Sequence, residues 1–163
     1  MSNFRADCSR CCGLCCIVPD QLAVQGFPSD KPANTPCRYM DACNQCSIYE
    51  QRLEYGYRAC KGFDCFGAGQ WITQKLFANA SWRDSPEIAT RMFTAYRFWL
   101  PRFEAAALLE AALPHVRDDA RSLLYARING LTDTQTADPL TLLDGSRLHR
   151  ETLALIRSLL AMP

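Results

Sequence analysis

The stretch CSRCCGLCC, residues 8–16, puts five cysteines into nine positions. Five more follow at Cys37, Cys43, Cys46, Cys60 and Cys65, and the 98 residues from 66 to 163 contain none. This distribution marks residues 1–66 as one chemical unit and 67–163 as another. The first unit carries Pro19, Pro28, Pro32 and Pro36 with Gly13, Gly26, Gly56 and Gly62, and FPSDKPANTP (27–36) reads as a loop. It has little apolar material for a core of its own, so it needs a staple of disulfides or metal.

Three uses of the thiols compete. Disulfides belong to oxidising compartments. The N-terminal MSNFRADCSR has neither an apolar h-region nor a small-residue cleavage site, and adjacent cysteines such as Cys11 and Cys12 do not easily bridge each other. Inert buried thiols explain one or two cysteines, not ten. Metal explains the crowding, because a bound cation offsets the repulsion between thiolates and deprotonates its ligands.

Spacing agrees with metal. Cys8, Cys12 and Cys15 are four and three apart, Cys43 and Cys46 form C-x2-C, and Cys60 and Cys65 form C-x4-C. Both histidines, His115 and His149, lie far down the chain and read as surface or cap residues. The expected centre is therefore all-thiolate: four-cysteine zinc, iron–sulfur or, less in keeping, copper(I). Cys8-x3-Cys12-x2-Cys15 also matches radical-SAM spacing. That chemistry needs a large α/β barrel, and no alternating strand–helix pattern is present. Neighbouring side chains diverge by about 100° on a helix, so Cys15 and Cys16 are expected to play different roles. Ten thiols could fill two four-ligand sites with two left over, or one centre with several spares.

The second unit reads as helix. QWITQKLFANA predicts a first helix over about 70–80, with GAGQW as a turn before it rather than a phosphate cradle. Ser85-Pro86-Glu87 is a helix start, followed by Ile88, Met92, Tyr96, Trp99 and Phe103 on one face. The simplest reading of Tyr96, Trp99 and Phe103 is bundle core. Pro101 predicts a kink or restart. RDDARSLLYARI predicts a further helix closed by Asn129-Gly130, with Asp118 and Asp119 in its first turn, and LTDTQTAD (131–138) predicts a loop. Ser146 is expected to open a last helix whose Leu148, Leu155, Ile156, Leu159 and Leu160 make an apolar stripe. The expected fold is mainly α: a small, irregular, metal-stapled cysteine module (1–66) packed on an α-helical bundle (67–163).

Composition narrows the function. The chain is 48% hydrophobic and 21% charged with a net charge of +1, which argues against a nucleic-acid or anionic-membrane partner. The longest apolar run, AAALL near residue 107, is too short to span a bilayer. A cytoplasmic location is expected. The basic residues among the cysteines, Arg10, Arg38, Arg52, Arg58 and Lys61, read first as solvated surface and second as charge compensation for a thiolate centre.

These motifs resemble the YkgJ-type cysteine-cluster family, described as a zinc- or iron-chelating domain. The family pattern C-x2-C-G-x-C-C, then a lone cysteine, then C-x-I-Y-E-x-R-P and C-x2-F-x-C, is met by Cys12-Gly13-Leu14-Cys15-Cys16, Cys37-Arg38-Tyr39-Met40, Cys46-Ser47-Ile48-Tyr49-Glu50-Gln51-Arg52 and Cys60-Lys61-Gly62-Phe63-Asp64-Cys65. Cys8 sits one residue further upstream than the pattern, Cys11 and Cys43 have no counterpart, and Leu53 replaces the proline. The gap from Cys46 to Cys60 is longer than the pattern's. The resemblance implies metal ligation by Cys8, Cys12, Cys15, Cys16, Cys37, Cys46, Cys60 and Cys65, with Arg52 beside the cofactor and Tyr49 and Phe63 packing around it. A similar cluster accompanies flagellin lysine methylases, where an iron–sulfur centre is implied.

The expected function is a metal-binding protein holding an all-cysteine iron–sulfur or zinc centre, structural or for electron or metal transfer. The alternative is an iron–sulfur enzyme or an accessory subunit of a modifying enzyme, with a pocket in the helical part. A protein partner is left open, and no catalytic residue is assigned.

Overall fold

A computed structural model describes residues 4–134 and 144–161. Among these residues the protein is mainly helical and has no extended strand, only two isolated bridges, Gln21 to Lys31 and Met40 to Cys46.

The cysteine-rich part is built from turns. A 3-10 turn spans Cys8–Arg10, and the short helix α1 spans Leu14–Ile17. Gly13 precedes α1 at φ 75°, and a Cβ there would lie 2.7 Å from the Asn44 carbonyl oxygen. Only glycine fits such a position, which explains the glycine inside the cysteine motif. The Gln21–Lys31 bridge closes one loop, with N–H···O bonds of 2.9 and 2.7 Å in the two directions. A second loop closes where Ser47 N–H donates to the Tyr39 carbonyl (2.9 Å) and Asp41 N–H to the Gln45 carbonyl (2.9 Å), bringing Cys37 and Cys46 together. Helix α2 spans Arg58–Gly62.

Helix α3 spans Ala68–Trp71 and runs into a π-helical turn, Ile72–Leu76, closed by the Phe77 N–H on the Ile72 carbonyl (3.2 Å). The single helix expected over 70–80 is thus shorter and changes pitch. Thr73 sits at the change. Its hydroxyl donates to the Gly69 carbonyl (2.9 Å) and accepts the Cys12 N–H (3.2 Å), so the wider turn faces the cysteine segment.

Helix α4 spans Pro86–Ala112. Ser85 caps it as expected, its hydroxyl accepting the Ile88 N–H (3.2 Å). Of the kink or restart expected at Pro101, the restart does not occur, and α4 runs through the proline. The helix is buried on both sides of the proline, by Tyr96, Phe98 and Trp99 before it and by Ala105, Ala106 and Leu109 after it. That burial offsets a proline cost of about 3 kcal/mol.

Helix α5 spans Asp118–Thr132 and passes through Asn129-Gly130, where closure was expected, because Leu131 beyond them is buried. The expected loop 131–138 begins after Thr132, and its residues from 135 lie outside the described ones. Helix α6 spans Gly145–Leu160, capped not by Ser146 but by Asp144, whose carboxylate accepts the Ser146 and Arg147 N–H groups (3.0 and 3.2 Å). Leu148, Leu155, Ile156 and Leu159 pack inward from it, while Leu160 is exposed.

Three apolar clusters result. The first joins both parts of the chain: Cys12, Leu14, Ile17 and Val18 pack with Ala68, Ile72, Met92, Tyr96, Trp99 and Phe103. The second holds α4, α5 and α6 together around Leu109, Leu124, Ile128 and Leu148. The third is small, with Cys37, Ile48 and Tyr57 buried and Cys16, Cys46 and Cys60 packed against them.

Candidate metal centre

The cysteine segments meet at one cleft of about 710 Å³. Seven thiols line it: Cys8, Cys11, Cys15, Cys16, Cys46, Cys60 and Cys65. Segments 8–16, 46 and 60–65, distant in sequence, therefore share a wall. All ten cysteines are described, and none forms a disulfide.

The remaining three are placed differently. Cys37 is buried directly behind the cleft wall, packed with Cys16, Cys46 and Cys60, and its N–H donates to the Cys16 carbonyl (3.0 Å). Cys43 is exposed in a turn held by Asp41, whose carboxylate accepts the Cys43 N–H (2.8 Å). Cys12, expected as a ligand, turns away from the cleft. Its sulfur lies 3.4 Å from the Thr73 hydroxyl and 3.8 Å from the Met92 sulfur, inside the first cluster. Cys11, unmatched in the family pattern, faces the cleft instead. Gly69 makes room for it, since a Cβ there would be 2.7 Å from the Cys11 sulfur and 3.9 Å from that of Cys65.

Burial controls the protonation of this wall. It pushes the Cys11 thiol up to about 12. Burial and the neighbouring Cys16, Cys37 and Cys46 push Cys60 up to about 11. Cys8 and Cys46 are raised chiefly by burial as well. Cys16 is the exception. It shares a hydrogen bond with the Cys15 sulfur 3.9 Å away, and Lys31 and Arg52 add positive charge, so Cys16 is lowered while the same hydrogen bond raises Cys15. Most of these sulfurs are thiols at neutral pH, and a metal must displace their protons.

Two fixed cations stand beside the thiols. Arg52, named from the sequence, lines the cleft. It donates to the Tyr49 and Cys60 carbonyls (2.6 and 3.1 Å) and lies 3.8 Å from the Tyr49 ring centre. Tyr49 and Phe63 are rim residues, 46% and 41% exposed. Arg10 instead bonds the Gln74 side chain at the surface.

Sequence reasoning missed Lys31. It is buried, and its ammonium is held by the carbonyls of Ile17, Pro19, Pro32 and Thr35 at 3.3, 2.7, 3.0 and 2.8 Å. Burial lowers its pKa, and the thiols of Cys37 and Cys16 oppose that. The one sequence signal was a lysine inside the proline-rich loop 27–36.

Tyr96 of α4 closes the cleft from below. It is buried, its hydroxyl has no hydrogen-bond partner, and burial together with Cys15, Cys65 and Cys11 holds its pKa well above the phenol range. A buried hydroxyl is ordinarily satisfied, so this one fits an acceptor held between it and the three thiols. The wall of thiols, the two cations and the orphaned hydroxyl together fit a metal–sulfur group. Among the described residues no three Cys, His, Asp or Glu side chains are already drawn around one point as a single ion requires. The sulfurs line a space rather than converge on a position.

These features define a cysteine-rich, mainly helical protein whose thiols gather on one cleft. Comparison with curated proteins finds 39% identity over 111 residues with the uncharacterised protein YybG of Bacillus subtilis, covering 68% of this chain and 40% of YybG. It also finds 40% identity over 48 residues with the UPF0153 protein YeiW of Escherichia coli (29% of this chain, 57% of YeiW). A UPF0153 protein of Vibrio cholerae is 30% identical over 59 residues, 72% of its length and 33% of this chain. The chain belongs to the UPF0153 family. It spans less than two thirds of YybG and of YeiW. No family model matches the chain, and no solved structure matches it. Among the described residues no helix is long and apolar enough to cross a membrane.

Proposed function

We propose that the protein binds metal at the cysteine cleft and carries an all-thiolate centre of the YkgJ type, iron–sulfur rather than zinc. Residues 1–66 are the binding module on this reading, and the reducing compartment it needs is the cytoplasm. The observation that carries it is the cleft itself: seven thiols from separate segments, a buried lysine and an arginine beside them, and an unsatisfied buried hydroxyl below. The breadth of the cleft favours a cluster of several irons with sulfide over one zinc, whose four thiolates close to about 2.3 Å from the ion. Such a cluster, when bound, supplies one-electron chemistry or a rigid cross-link.

The chain's own residues have defined parts in this. The thiols give up protons as metal enters. Lys31 and Arg52 lower the cost of the negative charge that remains. Tyr96 is placed to donate a hydrogen bond to a sulfur. The alternative, an enzyme or accessory subunit with its pocket in the helices, gains little support, since among the described residues from α4 onward only Tyr96 lines the cleft.

The test is anaerobic purification followed by iron, sulfide and zinc analysis with absorption spectra. A brown protein with iron and sulfide in equal amounts is expected. A colourless protein with stoichiometric zinc would replace the iron–sulfur reading, and one with no metal would end both. Cys46→Ser is expected to lose metal and solubility together; full metal content in that variant would remove Cys46 from the ligands.

A further inference from the structure

The thiols of the cleft are not one group. We propose that they form two four-cysteine centres side by side, one on Cys8, Cys11, Cys15 and Cys65 and the other on Cys16, Cys37, Cys46 and Cys60, with Cys12 and Cys43 outside both. This inference rests on the proposal that the cleft binds metal, and adds the number of centres and the membership of each.

Packing divides the thiols this way. Cys11 and Cys15 pack on the first apolar cluster, against α3 and α4. The Cys65 sulfur enters the same space beside Gly69 as that of Cys11. Tyr96 belongs to that same cluster, and its buried hydroxyl has no hydrogen-bond partner. Cys8 completes this group: it lines the cleft from the Cys8–Arg10 turn, which packs against α3. On the other side, Cys16, Cys46 and Cys60 pack with Cys37 on Ile48 and Tyr57.

Each group has its own polar neighbour. The first has the hydroxyl of Tyr96. The second has the ammonium of Lys31, fixed on four carbonyls, two before and two after the loop that the Gln21–Lys31 bridge closes. The groups meet at Cys15 and Cys16, adjacent in sequence with sulfurs 3.9 Å apart. Consecutive cysteines on the turn of α1 thus deliver one sulfur to each side. The two cysteines left over are accounted for: Cys12 is engaged by Thr73 and Met92, and Cys43 lies on an exposed turn.

Metal content of the intact chain after anaerobic reconstitution with iron and sulfide tests the number, without any variant. Two clusters' worth of iron and sulfide per chain is expected, and one cluster's worth overturns the inference while leaving metal binding intact. No metal at all overturns both. Membership is tested by Cys11→Ser and Cys60→Ser. Each is expected to lose half the metal and keep the other half, whereas loss of the whole load in both would mean a single shared centre. Because either variant can fail to fold, thiol alkylation of the loaded wild-type protein gives a second readout. Cys8 and Cys43 are both exposed. Cys43 is expected to be alkylated and Cys8 protected, and equal labelling of the two would remove Cys8 from the first centre.

Discussion

Tyr96 is the residue at which the helical part bears on the cysteine chemistry. An unsatisfied buried hydroxyl costs about 1–3 kcal/mol, and the metal-free fold carries that cost at the base of the cleft. Tyr96→Phe is therefore expected to leave the melting temperature of the metal-free protein unchanged or raised. In the loaded protein the same substitution removes a donor to sulfur, and metal release to a chelator should quicken several-fold. Melting curves and release rates on the two forms check this. Equal release rates would mean that the hydroxyl faces no bound group. In the sequence Tyr96 was legible only as a core position, because its i, i+3, i+4 spacing is what packing alone produces. Its second role depends on which thiols lie across from it, and that depends on the fold of residues 8–65. The choice between Cys11 and Cys12 was hidden for a similar reason. Their side chains diverge, and the extended backbone at Cys11 followed by left-handed Gly13 decides which one faces the cleft. Lys31 was hidden because its charge reaches the thiols through a closed loop rather than through sequence proximity.

The helices were more legible, and their misreadings have one cause. Ser85-Pro86 marks the start of α4 by local chemistry, and local chemistry holds there. Pro101 and Asn129-Gly130 are equally strong local stop signals, yet α4 and α5 run through them because burial beyond each outweighs the local cost. The contact of α4 with α6 contains one group set against its surroundings. Glu104 is half-buried, and burial raises its pKa, with His149 of α6 partly opposing the rise. The folded state therefore holds the Glu104 proton more tightly than the unfolded chain does. The stability this gives is fully present below about pH 4.3, the unfolded value, and is lost as pH rises through the folded value. Tyr96, a neighbour on α4, stays neutral across that range. Glu104→Gln should raise the melting temperature at pH 7 by about 1–3 °C, and the gain should vanish at pH 4. A gain that persists at pH 4 would assign the effect to packing rather than charge.

On the scale of the whole molecule, stability is unevenly supplied. Helices α4, α5 and α6 bury the second cluster among themselves, with Leu109 and Leu124 fully enclosed. Segment 37–65 has only Cys37, Ile48 and Tyr57 buried in its own cluster, and the helix it contains, α2, is five residues long. So small an apolar core does not offset the entropy of ordering that many residues. Two of its thiols, Cys46 and Cys60, are raised above their ordinary range by burial, and metal coordination must therefore supply both order and deprotonation. Segment 12–18 stands between these extremes, since Leu14, Ile17 and Val18 are anchored in the first cluster against α3 and α4. Removing metal with a chelator under anaerobic conditions should then unfold the molecule in part rather than as a whole. In hydrogen exchange followed by mass spectrometry, amides of 37–65 should lose protection by two orders of magnitude or more, about 3 kcal/mol of local stability. Amides of α5 and of α4 around Leu109 should keep theirs, and those of 14–18 should fall between. Retained protection across 37–65 would mean that turn hydrogen bonds hold the module without metal. Simultaneous loss in α5 would mean that the cleft and the bundle fold as one cooperative unit, with the shared first cluster transmitting the effect.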